Sequence, residues 1–178
     1  VVNTMMTSIF IIGVGIVMWV LFGYSLSFAP SGNAFIGDFR WLGLEGVSLT
    51  EGYTDDASIP NMVFSAFQMM FAVITPALIT GAVAGRMKFK SIFVFTIFWS
   101  LIVYYPLAHM VWGQGGLLGA DGIGALDFAG GDVVHISSGV SALVLCILLG
   151  KRHDYEHSIY RIHNIPTVVL GEIGRAHV

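Results

Sequence analysis

Four long apolar stretches determine what this chain can fold into. They cover residues 5–28, 59–84, 91–112 and 128–150. Each can cross a membrane as one helix, because about 20 apolar residues at 1.5 Å each traverse the roughly 30 Å of hydrocarbon. A helix also satisfies its own backbone hydrogen bonds where no water is available. The sequence therefore predicts an all-α fold, a polytopic transmembrane helical bundle.

The balance of apolar and charged residues agrees with this prediction. Apolar residues make up 56% of the 178 positions and charged residues 11%, whereas about a quarter of a soluble domain is charged. We therefore expect lipid to face much of the surface. A formal net charge of −3 argues against the basic surface of nucleic-acid binders. The single cysteine, Cys146, can form neither an internal disulfide nor a thiolate cluster.

The basic residues of the connectors predict the orientation in the membrane. Short loops rich in Lys and Arg stay on the cytoplasmic side. The connectors after the second and fourth stretches are basic, and they contain Arg86, Lys88, Lys90, Lys151, Arg152 and Arg161. An even number of crossings separates these connectors, so both are expected at the cytoplasmic face. The first stretch then begins inside, and the protein is predicted to be a multi-pass protein of the plasma membrane.

The last part of the chain departs from this pattern. A fifth span is expected to start near Ile162, and the sequence ends before that span could cross. Residues 173–178 break the apolar pattern, and we interpret them as a non-native tail. Residues 1–172 are accordingly expected to form a partial transmembrane domain with about four full spans and the start of a fifth.

Ionisable residues inside the apolar stretches are candidates for function. They cost several kcal/mol there unless they are paired or line a path of water, and they are His109, Asp127, Asp132 and His135. His135 is flanked at i−4 and i+4 by Gly131 and Gly139, which lie on the same helix face. A neighbouring helix or a substrate can therefore approach the imidazole. A histidine hydrogen-bonded between helices is the alternative, and the glycines favour a pore.

Asp127 stands one residue before the fourth apolar stretch, a position typical of an N-cap. We expect its carboxylate to accept hydrogen bonds from the backbone N–H groups of Ala129 or Gly130. A carboxylate at that end of a helix also supplies negative potential for an incoming cation. The two roles are compatible.

Aromatic residues lie in the first half of the second stretch and at the end of the third, which are expected on the same side of the membrane. Trp112 ends the third stretch, where tryptophan is typical of an interfacial anchor. Phe64, Phe67 and Phe71 follow i, i+3, i+7 spacing, which is typical of packing. A tryptophan face and a phenylalanine ring at an outer mouth can also bind a small cation, with about 1 to 2 kcal/mol when desolvated.

Enzymatic and cofactor motifs are absent from the sequence. It contains no His-Glu-x-x-His, no Gly-x-Ser-x-Gly and no carboxylate pair placed for glycoside hydrolysis. The glycine-rich segment 113–116 has no preceding strand and no following Lys-Ser/Thr pair, which argues against phosphate binding. His153, His157 and His163 lie in a polar loop and are predicted to be surface residues. We expect no catalytic residues, no cofactor and no metal site.

Several long motifs are similar to those of the ammonium transporter family, which comprises the Amt, Mep and Rh proteins. The resemblance covers nearly all of residues 1–171. Its most specific parts are residues 104–113 (YYPLAHMVWG), 125–135 (ALDFAGGDVVH) and 67–72 (FQMMFA), with support from 80–84 (TGAVA) and 23–25 (GYS).

The resemblance implies a fold and an assembly. It implies eleven transmembrane helices in two inverted five-helix repeats, assembled as a homotrimer with one pore per subunit. This chain would contain the second to fifth helices and the start of the sixth. The implied function is transport of ammonium or ammonia, with a PII-type regulatory protein as a candidate partner at the cytoplasmic face.

The resemblance also implies roles for four residues. Trp112 and Phe71 would form the aromatic site that recruits ammonium, and Phe71 would contribute to a phenylalanine gate. Asp127 would be the buried carboxylate that supports this site, and His135 the first of two pore histidines. Trp112 favours the Amt branch over Rh. Two positions depart from the usual pattern: Asp132 replaces a hydroxyl residue, and Gly85 a residue that is often acidic.

Two other functions stay open from the sequence. An Amt-like sensor would bind ammonium for signalling, and a soluble output domain after the last helix would identify it. An unrelated helical membrane scaffold with a buried structural histidine is the second alternative.

Overall fold

Four helices form the body of the computed structural model, which describes residues 2–30, 33–120, 122–152, 155–156 and 164–176. Within these residues, the helices long and apolar enough to cross a membrane are α1 (Thr4–Phe28), α2 (Asn61–Val83), α3 (Phe89–Trp112) and α4 (Gly131–Leu149). No regular β-strand occurs in the described ranges. The predicted all-α bundle is confirmed, and each predicted boundary lies within about three residues of the observed one.

Helix α2 packs against both α1 and α4, and the outer end of α1 packs against the outer end of α3. Large aromatic side chains are fully buried at these contacts: Trp19, Tyr24, Phe28, Tyr104 and Tyr105. Three aromatic side chains form hydrogen bonds across helices. The Trp19 indole donates to the Ser65 carbonyl oxygen at 3.1 Å, the Trp99 indole to Ser141 Oγ at 2.8 Å, and the Tyr24 hydroxyl to Asn61 Oδ1. These bonds fix the helices against one another.

Three of the spans contain a widened, π-helical turn. These turns cover Trp19–Gly23, Ser100–Tyr104 and Gly131–Ile136. The turn in α3 is explained by Pro106, which has no N–H and whose ring would clash with the preceding turn of a regular helix. The Tyr105 N–H bonds to the Ser100 carbonyl oxygen, five residues earlier, so the helix continues through the proline.

The two basic connectors meet at one end of the bundle. A Cβ atom on Gly85, in the α2–α3 connector, would lie 3.6 Å from Cδ of Arg152, just after α4. The prediction that both connectors share one side is therefore confirmed for these residues, while Arg161 lies outside the described residues. The opposite end, called the outer end below, contains the last turns of α1 and α3 and the start of α4.

A further helix, α5, covers Ile165–Ala176. It begins at Ile165 rather than near Ile162, because the Asn164 side chain caps it by accepting from the Thr167 N–H at 3.0 Å. The predicted surface histidines His153, His157 and His163 lie outside the described residues.

Candidate functional site

Trp112 and Phe71 come together at the outer end, although they are on different helices. Their ring centroids are 5.7 Å apart, and the ring planes are inclined by 53°. Both side chains are half-buried. Phe67 contacts the other side of Phe71 edge-on, with centroids 5.2 Å apart, and is 55% exposed. Two aromatic rings at this separation present their negative faces to a small cation.

The orientation of the Trp112 ring is fixed by a single hydrogen bond. Its indole Nε1 donates to the backbone carbonyl oxygen of Asp127 at 2.8 Å. Trp112 is the last residue of α3, and Asp127 lies just before α4. The bond therefore ties the aromatic pair to the amino-terminal end of α4.

The Asp127 carboxylate caps α4 with both of its oxygens. Oδ1 accepts from the N–H groups of Gly130 at 2.6 Å and Gly131 at 2.8 Å, and Oδ2 from those of Asp132 at 2.8 Å and Val133 at 3.0 Å. The predicted capping role is confirmed for Gly130. Four N–H groups that the helix itself leaves without partners are satisfied by this one side chain.

Helix α4 begins at Gly131 rather than at Phe128, and Ala129 is not a donor to the Asp127 carboxylate. The reason is a turn at Gly130, where φ is +89°, a left-handed conformation that glycine adopts without strain. The turn directs the carboxylate at the start of the helix. It also leaves Phe128 outside the helix and 94% exposed.

His135 lies in the π-helical turn of α4 on a face that is open in this chain. Its side chain is exposed, and its ring has no hydrogen-bond partner among the described residues. A Cβ on Gly139 would meet no atom within 4 Å, and one on Gly131 would reach only Asp127 Oδ1, at 4.0 Å. No described helix covers this face. The alternative of a histidine bonded between helices finds no partner in the part of the chain that the structure describes.

Asp132 lies in the first turn of α4 and is half-buried. Its backbone N–H bonds to Asp127, and its carboxylate forms no ion pair with the cations of the described ranges. Two carboxylates therefore lie at the entrance to this helix, and only the Asp127 carboxylate caps it.

His109 is fully buried one turn before Trp112 on α3. Its Nδ1 lies 3.1 Å from the Ser27 carbonyl oxygen and its Nε2 lies 2.9 Å from the Asn33 carbonyl oxygen. The sequence identified His109 as an ionisable residue within a span but assigned it no role. The structure places it between α3, the end of α1 and the loop that follows.

Sequence reasoning missed Tyr53 and Gln114. The Tyr53 hydroxyl donates to the Phe28 carbonyl oxygen at 3.0 Å and accepts from the Gln114 N–H at 3.1 Å. The Gln114 side-chain amide donates in turn to the Tyr53 carbonyl oxygen at 3.0 Å. Burial raises the pKa of Tyr53 to about 12, so the hydroxyl keeps its proton at neutral pH. Tyr53 and Gln114 are 61 positions apart, and no local pattern indicates that they meet.

Comparison with known proteins identifies close relatives. A family model described as "Ammonium Transporter Family" matches residues 1–173. The chain is 51% identical over 171 residues to an ammonium transporter of Bacillus subtilis, an alignment that covers 96% of this chain and 41% of the relative. Relatives at this identity are named transporters, which agrees with the prediction that the chain is not an enzyme.

Two solved structures illustrate the likeness of the fold. The crystal structure of Candida albicans Mep2 matches with a TM-score of 0.76 and 34% identity, covering 95% of this chain and 36% of that chain. A structure titled "Sensor Amt Protein" matches with a TM-score of 0.69 and 30% identity, covering 97% and 41%. The chain spans about two-fifths of the length of curated relatives that it matches.

Proposed function

This chain belongs to the Ammonium Transporter Family, and from that premise we propose that the full-length protein carries ammonium or ammonia across the plasma membrane. The chain is a multi-pass helical membrane protein. The observation that best supports transport is the pairing of Trp112 with Phe71 at the outer end. The same indole is bonded to the start of the helix that bears the exposed His135.

Under this proposal, the Trp112 and Phe71 rings bind the ammonium ion before it enters the pore. Aromatic rings attract a cation through their quadrupoles, and the attraction strengthens as water is removed. Asp127 supports the site in two ways. Its carbonyl oxygen orients the indole, and its carboxylate caps the helix that follows.

His135 then acts inside the pore. Ammonium and potassium are nearly the same size, so diameter cannot separate them. A narrow apolar passage strongly disfavours a bare ion, whereas neutral ammonia can enter it. An imidazole can donate and accept hydrogen bonds, and it exchanges protons near neutral pH. The open face formed by Gly131, His135 and Gly139 gives a small substrate access to that ring.

We also propose the assembly that the family resemblance implies. The protein would form a homotrimer with one pore per subunit, and a PII-type regulator would dock at the cytoplasmic face. No more than 33% of any span is buried within this chain, so large apolar surfaces are available to further helices or subunits. Native mass spectrometry of the purified protein, with and without the regulator, tests both parts.

An ammonium sensor is the second candidate function, because the chain also resembles a structure titled "Sensor Amt Protein". A sensor would bind ammonium at the same aromatic pair without moving it. The higher identity to a named transporter favours transport.

Uptake of labelled methylammonium by cells expressing the full-length protein tests the proposal. Trp112→Leu and His135→Ala are compared with the wild type at equal amounts of membrane-inserted protein. We expect Trp112→Leu to raise KM and His135→Ala to lower Vmax. Unchanged uptake in both variants would overturn the pore assignment. Ammonium binding by the wild type without any uptake would favour the sensor.

A further inference from the structure

The outer end of α1 is closed by groups from other parts of the chain. The last carbonyl groups of a helix have no partner within it and need other donors, above all inside a membrane protein. Here three of them have one. The pairs are Leu26 O with the Gly37 N–H (2.7 Å), Ser27 O with His109 Nδ1 (3.1 Å), and Phe28 O with the Tyr53 hydroxyl (3.0 Å).

His109 joins three segments through its two ring nitrogens. Each nitrogen lies within hydrogen-bond distance of a backbone carbonyl oxygen, one on Ser27 and one on Asn33. A carbonyl oxygen only accepts, so a ring with protons on both nitrogens makes both bonds and a ring with one proton makes one. Because the ring is fully buried, water cannot replace a lost bond at the Ser27 side.

The position of His109 constrains the position of Trp112. The two residues are three positions apart on α3, and therefore lie on the same side of that helix. The chain then leaves the helix at Gly113, which lies against the His109 ring. A Cβ there would be 2.6 Å from His109 Nδ1 and 3.0 Å from the Ser27 carbonyl oxygen. The backbone on the far side of Trp112 can therefore approach α1 only as glycine.

A second connection lies just beyond. The backbone N–H of Gln114 donates to the Tyr53 hydroxyl, and that hydroxyl donates to the last carbonyl oxygen of α1, on Phe28. Trp112 is thus preceded by one residue tied to the end of α1, His109, and followed by another, Gln114. Asp38 and Arg40 lie in the loop that follows α1. They form an ion pair with each other, with Arg40 Nη2 2.7 Å from Asp38 Oδ2.

We propose that His109 is a positioning residue for cation recruitment: its ring ties α3 to the Ser27 carbonyl oxygen at the end of α1 and to the Asn33 carbonyl oxygen of the following loop, and thereby sets the Trp112 indole against Phe71. The Tyr53–Gln114 connection supports the same arrangement from the other side. This inference rests on the proposed function, because it gives the buried histidine a role in the binding step of transport. It assigns His109 no contact with the substrate.

Methylammonium uptake by the full-length protein tests the inference. His109→Leu removes both ring nitrogens at similar volume, and His109→Gln keeps an amide that can donate to one carbonyl. We expect His109→Leu to raise KM by about threefold to tenfold, the effect of one or two lost hydrogen bonds on an affinity. His109→Gln should raise it less, and Vmax per inserted protein should be unchanged in both.

A double-mutant cycle with Trp112→Leu separates positioning from general damage. If His109 acts through the indole, its loss has no further effect once the indole is gone. The double variant should therefore have the KM of Trp112→Leu alone. KM increases that multiply would overturn the inference and leave the proposed transport intact, whereas absence of uptake by the wild type would overturn the proposed function itself.

Tyr53→Phe provides an independent version of the cycle, and it replaces His109→Leu if that variant does not insert. It removes only the hydroxyl between Phe28 and Gln114, and we expect it too to raise KM without changing Vmax. Tyr24→Phe is the matched control. This variant also removes a hydrogen bond made by a tyrosine hydroxyl near the end of α1. Because the partner is Asn61 on α2 and not the loop after Trp112, KM should not change. An equal rise in KM for the two tyrosine variants would contradict positioning through the outer end.

Discussion

The Trp112 indole and the Asp127 backbone are joined by a hydrogen bond of 2.8 Å between Nε1 and the carbonyl oxygen. The carboxylate of Asp127 accepts four backbone N–H groups at the start of α4. One residue therefore orients the aromatic ring through its main chain and starts the helix that bears His135 through its side chain. Damage to the cap is expected to reach the aromatic pair.

Asp127→Ala tests this coupling. Loss of a carboxylate cap that accepts several N–H groups should lower the free energy of unfolding by about 1 to 3 kcal/mol. Thermal melting of the purified protein in detergent measures the loss. Asp132→Ser is the matched control, because Asp132 carries the same charge one turn away but caps nothing. If both variants melt at the same temperature, the four bonds do not stabilise the helix.

Phe71→Leu tests the aromatic pair from its other member. A leucine keeps the apolar volume but removes the ring face, so a cation loses an attraction of about 1 to 2 kcal/mol and KM for methylammonium should rise about fivefold to thirtyfold. Phe67→Leu is the control on the same helix. Its ring contacts Phe71 but makes no ring contact with Trp112, and its KM is expected to stay near the wild-type value. Equal effects would assign the rings to packing.

Gly113→Ala should disturb the outer end without changing any polar group. A Cβ at this position would lie 2.6 Å from His109 Nδ1 and 2.7 Å from the His109 carbonyl oxygen, so the ring or the backbone must move. We expect a lower melting temperature and a higher KM. Gly81→Ala in α2 meets no atom within 4 Å and should be neutral or stabilising by up to about 1 kcal/mol. If Gly113→Ala changed neither the melting temperature nor KM, the close approach of Gly113 to His109 would be unimportant.

The Tyr53 connection predicts how the outer end responds to alkali. Its pKa is raised from 10.0 to about 12 by burial, so the folded protein binds this proton more tightly than the unfolded chain. The stabilisation is complete below pH 10 and is lost as the pH rises through about 12. Melting curves should therefore show a decrease over that range that is smaller in Tyr53→Phe. A decrease of equal size in both proteins would remove Tyr53 from the explanation.

The spans were predictable because the apolar stretches are long and the charges are confined to connectors. The boundaries were less predictable. Asp127 was expected to cap a helix starting at Phe128, but the left-handed backbone at Gly130 adds a turn and delays the start to Gly131. A glycine in a sequence permits such a turn without requiring it.

The candidate site was only partly predictable from residue patterns. Spacing alone favoured packing for Phe71 and an interfacial anchor for Trp112, and only the resemblance to a family placed them together, as the structure does. The hydrogen bonds of His109 and Tyr53 could not be predicted. Their partners are backbone carbonyl groups, which every residue carries, so the sequence contains no mark of which carbonyl is bound.

The carbonyl groups at the end of α1 also set an order for biosynthesis. His109 is 82 positions beyond Ser27 in the chain. During translation, α1 is therefore made long before the partner of its Ser27 carbonyl oxygen. Until α3 follows, the Ser27 carbonyl oxygen lacks this partner and needs a bound water, which keeps that turn near the aqueous boundary. Arrival of α3 places His109 at this oxygen and removes the need for the water.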